Sequence, residues 1–367
     1  MKITFIGSRG IPANYGGFET FVEEIAVGLQ KKEGFDIFVI GDKFQKKQLK
    51  AIECYKGVNI KYSKYSKAQQ TIRFYLDSLF MSWNSDIIYC CGVGNAFFLF
   101  FVSLFQKKYV TNPDGIGWER LKWSRIGKKI LKLMFYLTSK YSPYIVSDSK
   151  GVEDVFFKQF NRKKNITTIE YGAHISKEEF KLIDQHHILT KYKINASKYH
   201  LVVSRLEPEN NIHLIINGYI KNEKKYPLVI VGNLLETKYV SSLIEIAKNE
   251  NIIFLGGVYD KNELRVIRTN AASYIHGHSV GGTNPSLLEA MSSKNICICH
   301  KNIFNEAVLK DSGVYFLNEK ELSLILDRVE NGEYSSLSNL SYMKIVEHYN
   351  WQNIVEMYST YFNKIIK

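Results

Sequence analysis

Along the 367 residues, short runs rich in Ile, Val, Tyr and Phe alternate with longer segments whose apolar residues recur every three to four positions. The first kind suits strands, the second amphipathic helices. In the first half, strands are predicted at Lys2–Gly7, Phe35–Ile40, Val58–Ser63, Asp86–Gly92, Lys108–Asn112, Tyr144–Ser149 and Ile166–Tyr171. Helices are predicted between them, at Phe18–Lys31, Lys67–Trp83, Trp123–Lys140 and Gly151–Phe160. The second half repeats the theme, with strands at His200–Ser204, Leu228–Gly232, Ile252–Leu255, Ala272–His276, Ile296–His300 and Val314–Leu317. Several runs are apolar throughout, as in parallel strands covered on both faces. The alternation implies right-handed βαβ units. The expected fold is α/β, with two Rossmann-like doubly wound domains facing across a cleft, at 1–175 and 176–347. Ligands of such sheets sit outside the carboxyl ends of the strands, so the segments that follow strands are where chemistry is sought.

Composition narrows the class. With 45% hydrophobic and 23% charged residues, disorder and coiled coil are excluded as main descriptions. The five Cys, at 54, 90, 91, 297 and 299, contain no C-x-x-C and fit neither a zinc site nor a disulfide framework. A reducing cytoplasm is the natural setting. The apolar run Ala96–Phe105 falls short of the roughly 20 residues that span a bilayer, and Met1–Gly7 is too short for a signal-peptide core.

Net charge is +13 and uneven. Residues 1–180 carry 28 Lys/Arg against 17 Asp/Glu, which leaves 21 and 19 for the rest. A basic first half fits an anionic partner, or simply a solvated lysine-rich surface. No nucleic-acid-binding motif accompanies it, so no nucleic acid is expected. Between Trp118 and Tyr141 lie seven basic residues (Arg120, Lys122, Arg125, Lys128, Lys129, Lys132, Lys140) and one acid, Glu119, interleaved with aromatics. This suits a membrane-surface helix, or a covering helix with a wet basic face.

Four segments follow strands and carry chemistry. Gly7–Thr20 (GSRGIPANYGGFET) leads into a helix, and Gly16-Gly17 would let backbone N–H groups approach an anion; a plain tight turn is the simpler account. It is neither a P-loop nor a G-x-G-x-x-G, which disfavours a nicotinamide oxidoreductase. Ser204–Asn211 (SRLEPENN) puts Arg205 at a strand end, where a guanidinium could grip a diphosphate or pair with Glu207 or Glu209. Tyr274–Met291 (YIHGHSVGGTNPSLLEAM) runs from a strand through a glycine loop into a helix with Pro285 in its first turn. There the amides of Gly281, Gly282, Thr283 and Asn284 would hold phosphate, and Glu289 would accept from sugar hydroxyls. Thr111–Trp123 (TNPDGIGWERLKW) turns Asp114 toward the cleft, although Asp-Gly is also an ordinary turn.

Gly277-His278-Ser279-Val280-Gly281 matches G-x-S-x-G, so a serine hydrolase with Ser279 as nucleophile is the alternative from another class. It requires a helix directly after the serine, and two glycines, Asn and Pro intervene. His276 and His278 form a conceivable zinc pair with no third ligand nearby, and no Asp-x-Asp occurs.

Taken together, these motifs resemble those of the retaining family-4 glycosyltransferases of the GT-B fold. Gly7–Glu24 (GSRGIPANYGGFETFVEE), Asn112–Trp123, Arg205–Asn211 and His278–Met291 resemble the bacterial capsule and O-antigen rhamnosyltransferase branch. His348–Trp351 and the following amphipathic segment resemble that family's closing helix, at 348–367, which crosses back to the first domain. The resemblance implies a hexosyltransferase that moves L-rhamnose from dTDP-rhamnose to a lipid-linked saccharide; a UDP- or GDP-sugar donor on the same fold is the alternative. It implies no metal and no cofactor beyond the nucleotide-sugar. Donor contacts fall on Gly16, Gly17, Arg205, Asn210, His278, Gly281, Gly282, Thr283, Asn284 and Glu289. Two positions depart from the wider family. The first of its two spaced glutamates is Gly281 here, and its lysine is Asn210. Asp114 is the nearest match to its first-domain histidine and, with Arg205, is the catalytic candidate. Tyr15, Phe18, Trp118, Arg120 and Asp148 are candidates for acceptor handling. The expected location is the inner face of the cytoplasmic membrane, held peripherally on an anionic surface.

Overall fold

The computed structural model describes residues 1–13, 16–48, 51–120, 123–175 and 184–367. It forms two units. The first comprises Met1–Gly172, Gly281–Thr283 and Trp351–Lys367, the second Ala173–Val280 and Asn284–Asn350.

The sheet of the first unit contains β1 (Lys2–Ile6), β2 (Asp36–Gly41), β3 (Cys54–Tyr55), β4 (Val58–Tyr62), β5 (Ile87–Cys91), β6 (Tyr109–Asn112), β7 (Tyr144–Ser147) and β8 (Ile166–Thr168). Their spatial order is β3-β4-β2-β1-β5-β6-β7-β8, and every pair is parallel except β3–β4. The central strand β5 reads Ile-Ile-Tyr-Cys-Cys and is buried at all positions, which is why its pattern is continuous rather than alternating. The chain leaves β1 for β2 and β4 on one side and later starts β5 on the other. The β1/β5 boundary is thus a topological switch point, where crevices form at strand carboxyl ends.

The second sheet contains β9 (His200–Val203), β10 (Leu228–Val231), β11 (Ile252–Gly256), β12 (Ser273–His276), β13 (Ile296–His300) and β14 (Val314–Phe316). Its order, β11-β10-β9-β12-β13-β14, is parallel throughout and doubly wound, with the switch between β9 and β12. Val202, Ile215, Ile230, Ile275, Ile298 and Leu326 form part of one continuous core between this sheet and its helices.

The last helix, Trp351–Ile366, belongs to the first unit. Tyr358 and Tyr89 of β5 share a hydrogen bond between buried hydroxyls (2.9 Å). A Cβ on Gly28 would fall 2.4 Å from Val355 Cγ2, so only glycine lets helix Gly17–Gln30 come this close to the last helix.

Some elements differ from the pattern. The strand expected to reach Tyr171 ends at Thr168, where its partner β7 also ends, opposite Ser147. The helix expected from Lys67 begins at Thr71, because the Lys67 amide is held by the Asp42 carboxylate (3.1 Å) in the preceding loop. The apolar run 96–105 is a single turn at Ala96–Phe98 followed by the short helix Leu99–Leu104. The two-residue strand β3 is too short to show a period. No helix among the described residues is long and apolar enough to cross a membrane.

Candidate active site

At the first switch point, β1 runs into a loop that starts at Gly7. This glycine has φ of 86°, and a Cβ on it would fall 2.4 Å from the Cys91 carbonyl of the neighbouring strand. Gly16 (φ 89°) precedes the helix that opens at Gly17, and both are exposed. Two carboxylates on that helix tie the loop down. Glu19 accepts from the Arg9 amide (3.1 Å) and Glu23 from the Ala13 amide (2.6 Å). Sequence reasoning passed over both; the spacing of one helical turn in GFETFVEE was the available signal. Phe18 is half-buried with Lys67 Nζ 5.8 Å from its ring centre. Tyr15 lies outside the described residues.

Asp114, Arg120 and Asp148 come together beyond β6 and β7. Asp114 adopts φ of 60°, with its amide donating to Asn112 Oδ1 (3.2 Å) and its carboxylate 3.9 Å from Arg120 Nη2. Asp148 is only 2% exposed, and its Oδ1 has no hydrogen-bond partner among the described residues. Burial, reinforced by the Asp114 charge and opposed by Arg120, pushes its carboxyl up to about 8. It therefore holds its proton at neutral pH and can donate a hydrogen bond. In the same unit Thr283 Oγ1 donates to the Asp148 carbonyl (2.6 Å), and a Cβ on Gly282 would fall 2.2 Å from the Asp148 carboxylate. Gly281 adopts φ 154°, a backbone conformation that favours glycine. Trp118 is not free in this group: its ring packs edge-on against Phe135, with centroids 4.6 Å apart.

In the second unit the loops after β9 and β12 are stitched to each other. Asn211 Nδ2 donates to the Gly277 carbonyl (2.8 Å), and the Glu209 carbonyl accepts from both the amide and the hydroxyl of Ser279 (3.0 and 2.9 Å). A Cβ on Gly277 would fall 2.2 Å from the Asn210 carbonyl, so this close approach needs glycine. Asn210 is buried, and its Nδ2 donates to the Arg205 carbonyl (2.7 Å). It therefore fixes the backbone from which Arg205 projects. Arg205 itself is 53% exposed, with Glu207 3.3 Å away.

The carbonyl of His278 accepts from Asn302 (3.0 Å) and Asn305 (3.1 Å), two residues the motifs did not single out. His276 and His278 stack at 4.2 Å. Burial, with the His278 charge adding, holds the His276 imidazole well below its ordinary value and so neutral. No group of three His, Cys, Asp or Glu that could hold a metal gathers among the described residues. The helix Pro285–Ser292 starts behind the loop, with Asn284 Oδ1 accepting from the Ser286 amide (2.9 Å). Glu289 pairs with Arg268 (2.6 Å), a partner sequence spacing did not show.

The hydrolase alternative is not supported. Ser279 gives its hydroxyl to a backbone carbonyl, and six positions separate it from the start of the helix at Pro285, so no nucleophile elbow forms.

Residues 185–339 match the family described as glycosyl transferases group 1. These residues form a glycosyltransferase domain of the group 1 type. Residues 1–174 match a domain family of unknown function, DUF1972. An uncharacterized glycosyltransferase of Methanocaldococcus jannaschii is 24% identical over 401 residues, covering all of this chain and 99% of that one. The fold is the GT-B fold of glycosyltransferase neighbours. Sucrose-phosphate synthase of Thermosynechococcus elongatus superposes with a TM-score of 0.82 at 12% identity, over 99% of this chain and 98% of that one. HepE of Anabaena, in its complex with UDP-glucose, does so with 0.77 at 16% identity, over 99% and 100%. In this domain the stitched loops, Arg205 and the N-terminus of helix Pro285–Ser292 occupy the place where the fold class binds ligands.

Proposed function

We propose that this glycosyltransferase transfers a hexosyl group with retention, L-rhamnose from dTDP-rhamnose, to a lipid-linked saccharide in capsule or O-antigen assembly. It would act at the inner face of the cytoplasmic membrane. The observation that carries the donor reading is the second switch point. Asn210 braces the backbone of Arg205, and the loops after β9 and β12 are locked together beside a helix N-terminus. Such a site is built for the diphosphate of a nucleotide-sugar. That HepE was solved with UDP-glucose supports the donor class. The choice of rhamnose rests on the likeness of Gly7–Glu24 and His278–Met291 to the rhamnosyltransferase branch.

In this mechanism the bond from the anomeric carbon to the diphosphate oxygen breaks, and the electron pair leaves with dTDP. The acceptor hydroxyl bonds to the anomeric carbon from the face the diphosphate leaves, and its proton passes to a phosphate oxygen. Arg205 and the loop amides stabilise the charge that develops on the leaving group, usually the largest contribution in such a step. Asp114, Arg120 and the protonated Asp148 would orient the reacting hydroxyl groups, with no metal required.

The test is the melting shift induced by dTDP, UDP and GDP at equal concentration. A ligand at 100 times its dissociation constant stabilises by about 2.7 kcal/mol. A preference for dTDP supports the rhamnosyl reading, which transfer from dTDP-rhamnose with retained anomeric configuration would complete. A preference for UDP or GDP replaces the donor; no shift with any overturns the site.

A further inference from the structure

A cavity of about 830 Å³ opens in the first unit, lined by Ser103, Tyr136 and residues 106–108, 139–144 and 160–165. These loops precede β6, β7 and β8, so the cavity lies at the amino edge of the sheet. The Gly7 loop, Asp114 and Asp148 lie at the carboxyl edge, about 15 Å away for strands of this length. The cavity is therefore separate from the candidate active site. Its lining holds six cations (Lys107, Lys108, Lys140, Arg162, Lys163, Lys164) and no carboxylate. Arg162 braces it by donating to the carbonyls of Ser139, Ser142 and Pro143. The Arg162 Nε is buried and finds no acceptor among the described residues.

The two helices that contribute to the cavity also carry exposed apolar side chains. Helix Leu99–Leu104, whose last turn lines the cavity through Ser103, leaves Phe100 and Phe101 exposed, and Leu104 and Phe105 are each 64% exposed. It lies beside helix Arg125–Tyr141, where the rings of Phe100 and Tyr141 meet at 5.5 Å. That second helix buries Phe135 and Thr138 inward and presents another apolar stripe outward: Ile126 (72% exposed), Ile130 and Leu133. Arg125, Lys129 and Lys132 flank the stripe. A helix with one apolar stripe in its own core and another in water, edged by cations, has the composition of an interfacial helix.

We infer that this face is a membrane-docking surface. The cavity takes the phosphate-bearing headgroup of an anionic phospholipid, while Phe101, Leu104, Phe105, Ile126 and Ile130 enter the headgroup–acyl boundary. The charge of the lining selects anionic lipid over a zwitterionic surface. The inference gives a location to the membrane contact in the reading above and rests on that reading for its purpose.

The experiment is flotation of the full-length protein with vesicles of phosphatidylcholine alone and of phosphatidylcholine mixed with phosphatidylglycerol. The protein is expected to float with the mixed vesicles only, and less as salt rises. Lys163→Glu with Lys164→Glu should weaken binding by about 30-fold or more, since each lysine near an anionic surface is worth about fivefold. Leu104→Ser with Phe105→Ser should also release the protein, with the fold kept because both side chains are exposed.

Equal flotation by wild type and both variants overturns the inference, as does no flotation of the wild type. Stabilisation by inorganic phosphate without flotation makes the cavity a free-phosphate site. Self-association lost in Leu104→Ser/Phe105→Ser, without flotation, makes the face a contact between copies. The nucleotide-induced melting shift, measured in the same samples, reports on the donor site independently: a shift without flotation removes this inference alone, and flotation without a shift removes the donor reading alone.

Discussion

Glu289 Oε2 lies 2.6 Å from Arg268 Nη2, joining the helix behind the glycine loop to helix Lys261–Thr269. Arg268 is buried, with Ser286 Oγ also accepting from Nη2 (3.3 Å). The carboxylate proposed for sugar hydroxyls therefore also neutralises a buried cation. Glu289→Ala should weaken donor binding and destabilise the fold by about 1–3 kcal/mol, because a charged group loses its partner. Denaturant unfolding and nucleotide calorimetry read the two effects apart. Adding Arg268→Met should restore stability but not donor binding; recovery of both would leave Glu289 a purely structural role.

Arg205 stands half in solvent, in a surface pair with Glu207, so its removal should cost little stability. Arg205→Ala should lower kcat by about 10²–10³, the usual cost of losing a group aimed at developing charge. Steady-state transfer assays check this, and turnover near wild type would sink the assignment.

Ser279→Ala removes a hydroxyl that, among the described residues, bonds only to the Glu209 carbonyl. Transfer should fall by no more than the few-fold expected from about 1 kcal/mol of loosened loop. Complete loss of activity, with the fold and nucleotide binding intact, would bring the nucleophile reading back.

Asp148 supplies a pH signature. Its native carboxyl titrates at about 8 against an ordinary 3.8, so the folded chain holds a proton that the unfolded chain releases. Stability from this group is complete below 3.8 and is lost as pH rises toward 8. Asp148→Asn should flatten that decline and be more stable than wild type in mild alkali, while transfer activity falls. Chemical denaturation across pH gives the slope. A variant no more stable than wild type at pH above 8 would remove the buried-acid assignment.

The last helix is anchored by Tyr358 and by the absence of a side chain at Gly28. Gly28→Leu would drive a side chain into Val355 and should cost at least the 1–3 kcal/mol typical of overpacking. Thermal unfolding would show it, and an unchanged midpoint would mean that the two helices separate without loss.

The order of strands and helices could be read directly from the chain. Fully buried parallel strands such as Ile87–Cys91 are continuously apolar, and covering helices carry apolar residues at helical spacing, so local pattern and fold class coincide. Motifs after strands were legible for a related reason: a glycine at positive φ or in close contact, such as Gly7 or Gly277, admits no substitute without strain. Element ends such as Thr71 and Thr168 were less so, since Asp42 and Ser147, remote in sequence, decide them.

Partnerships at long sequence separation were beyond the reach of local pattern. Nothing near Glu289 indicates that Arg268 faces it. The neighbours of Asp148 do not reveal that it is buried beside Asp114, nor does the segment 96–105 reveal that its rings border a cavity lined by lysines. Strand periods and turn conformations arise from bonds and contacts within a few residues, so the sequence alone determines them. Burial, ion pairing and the protonation of Asp148 depend on which distant segments the two sheets bring side by side, and only the tertiary structure settles those.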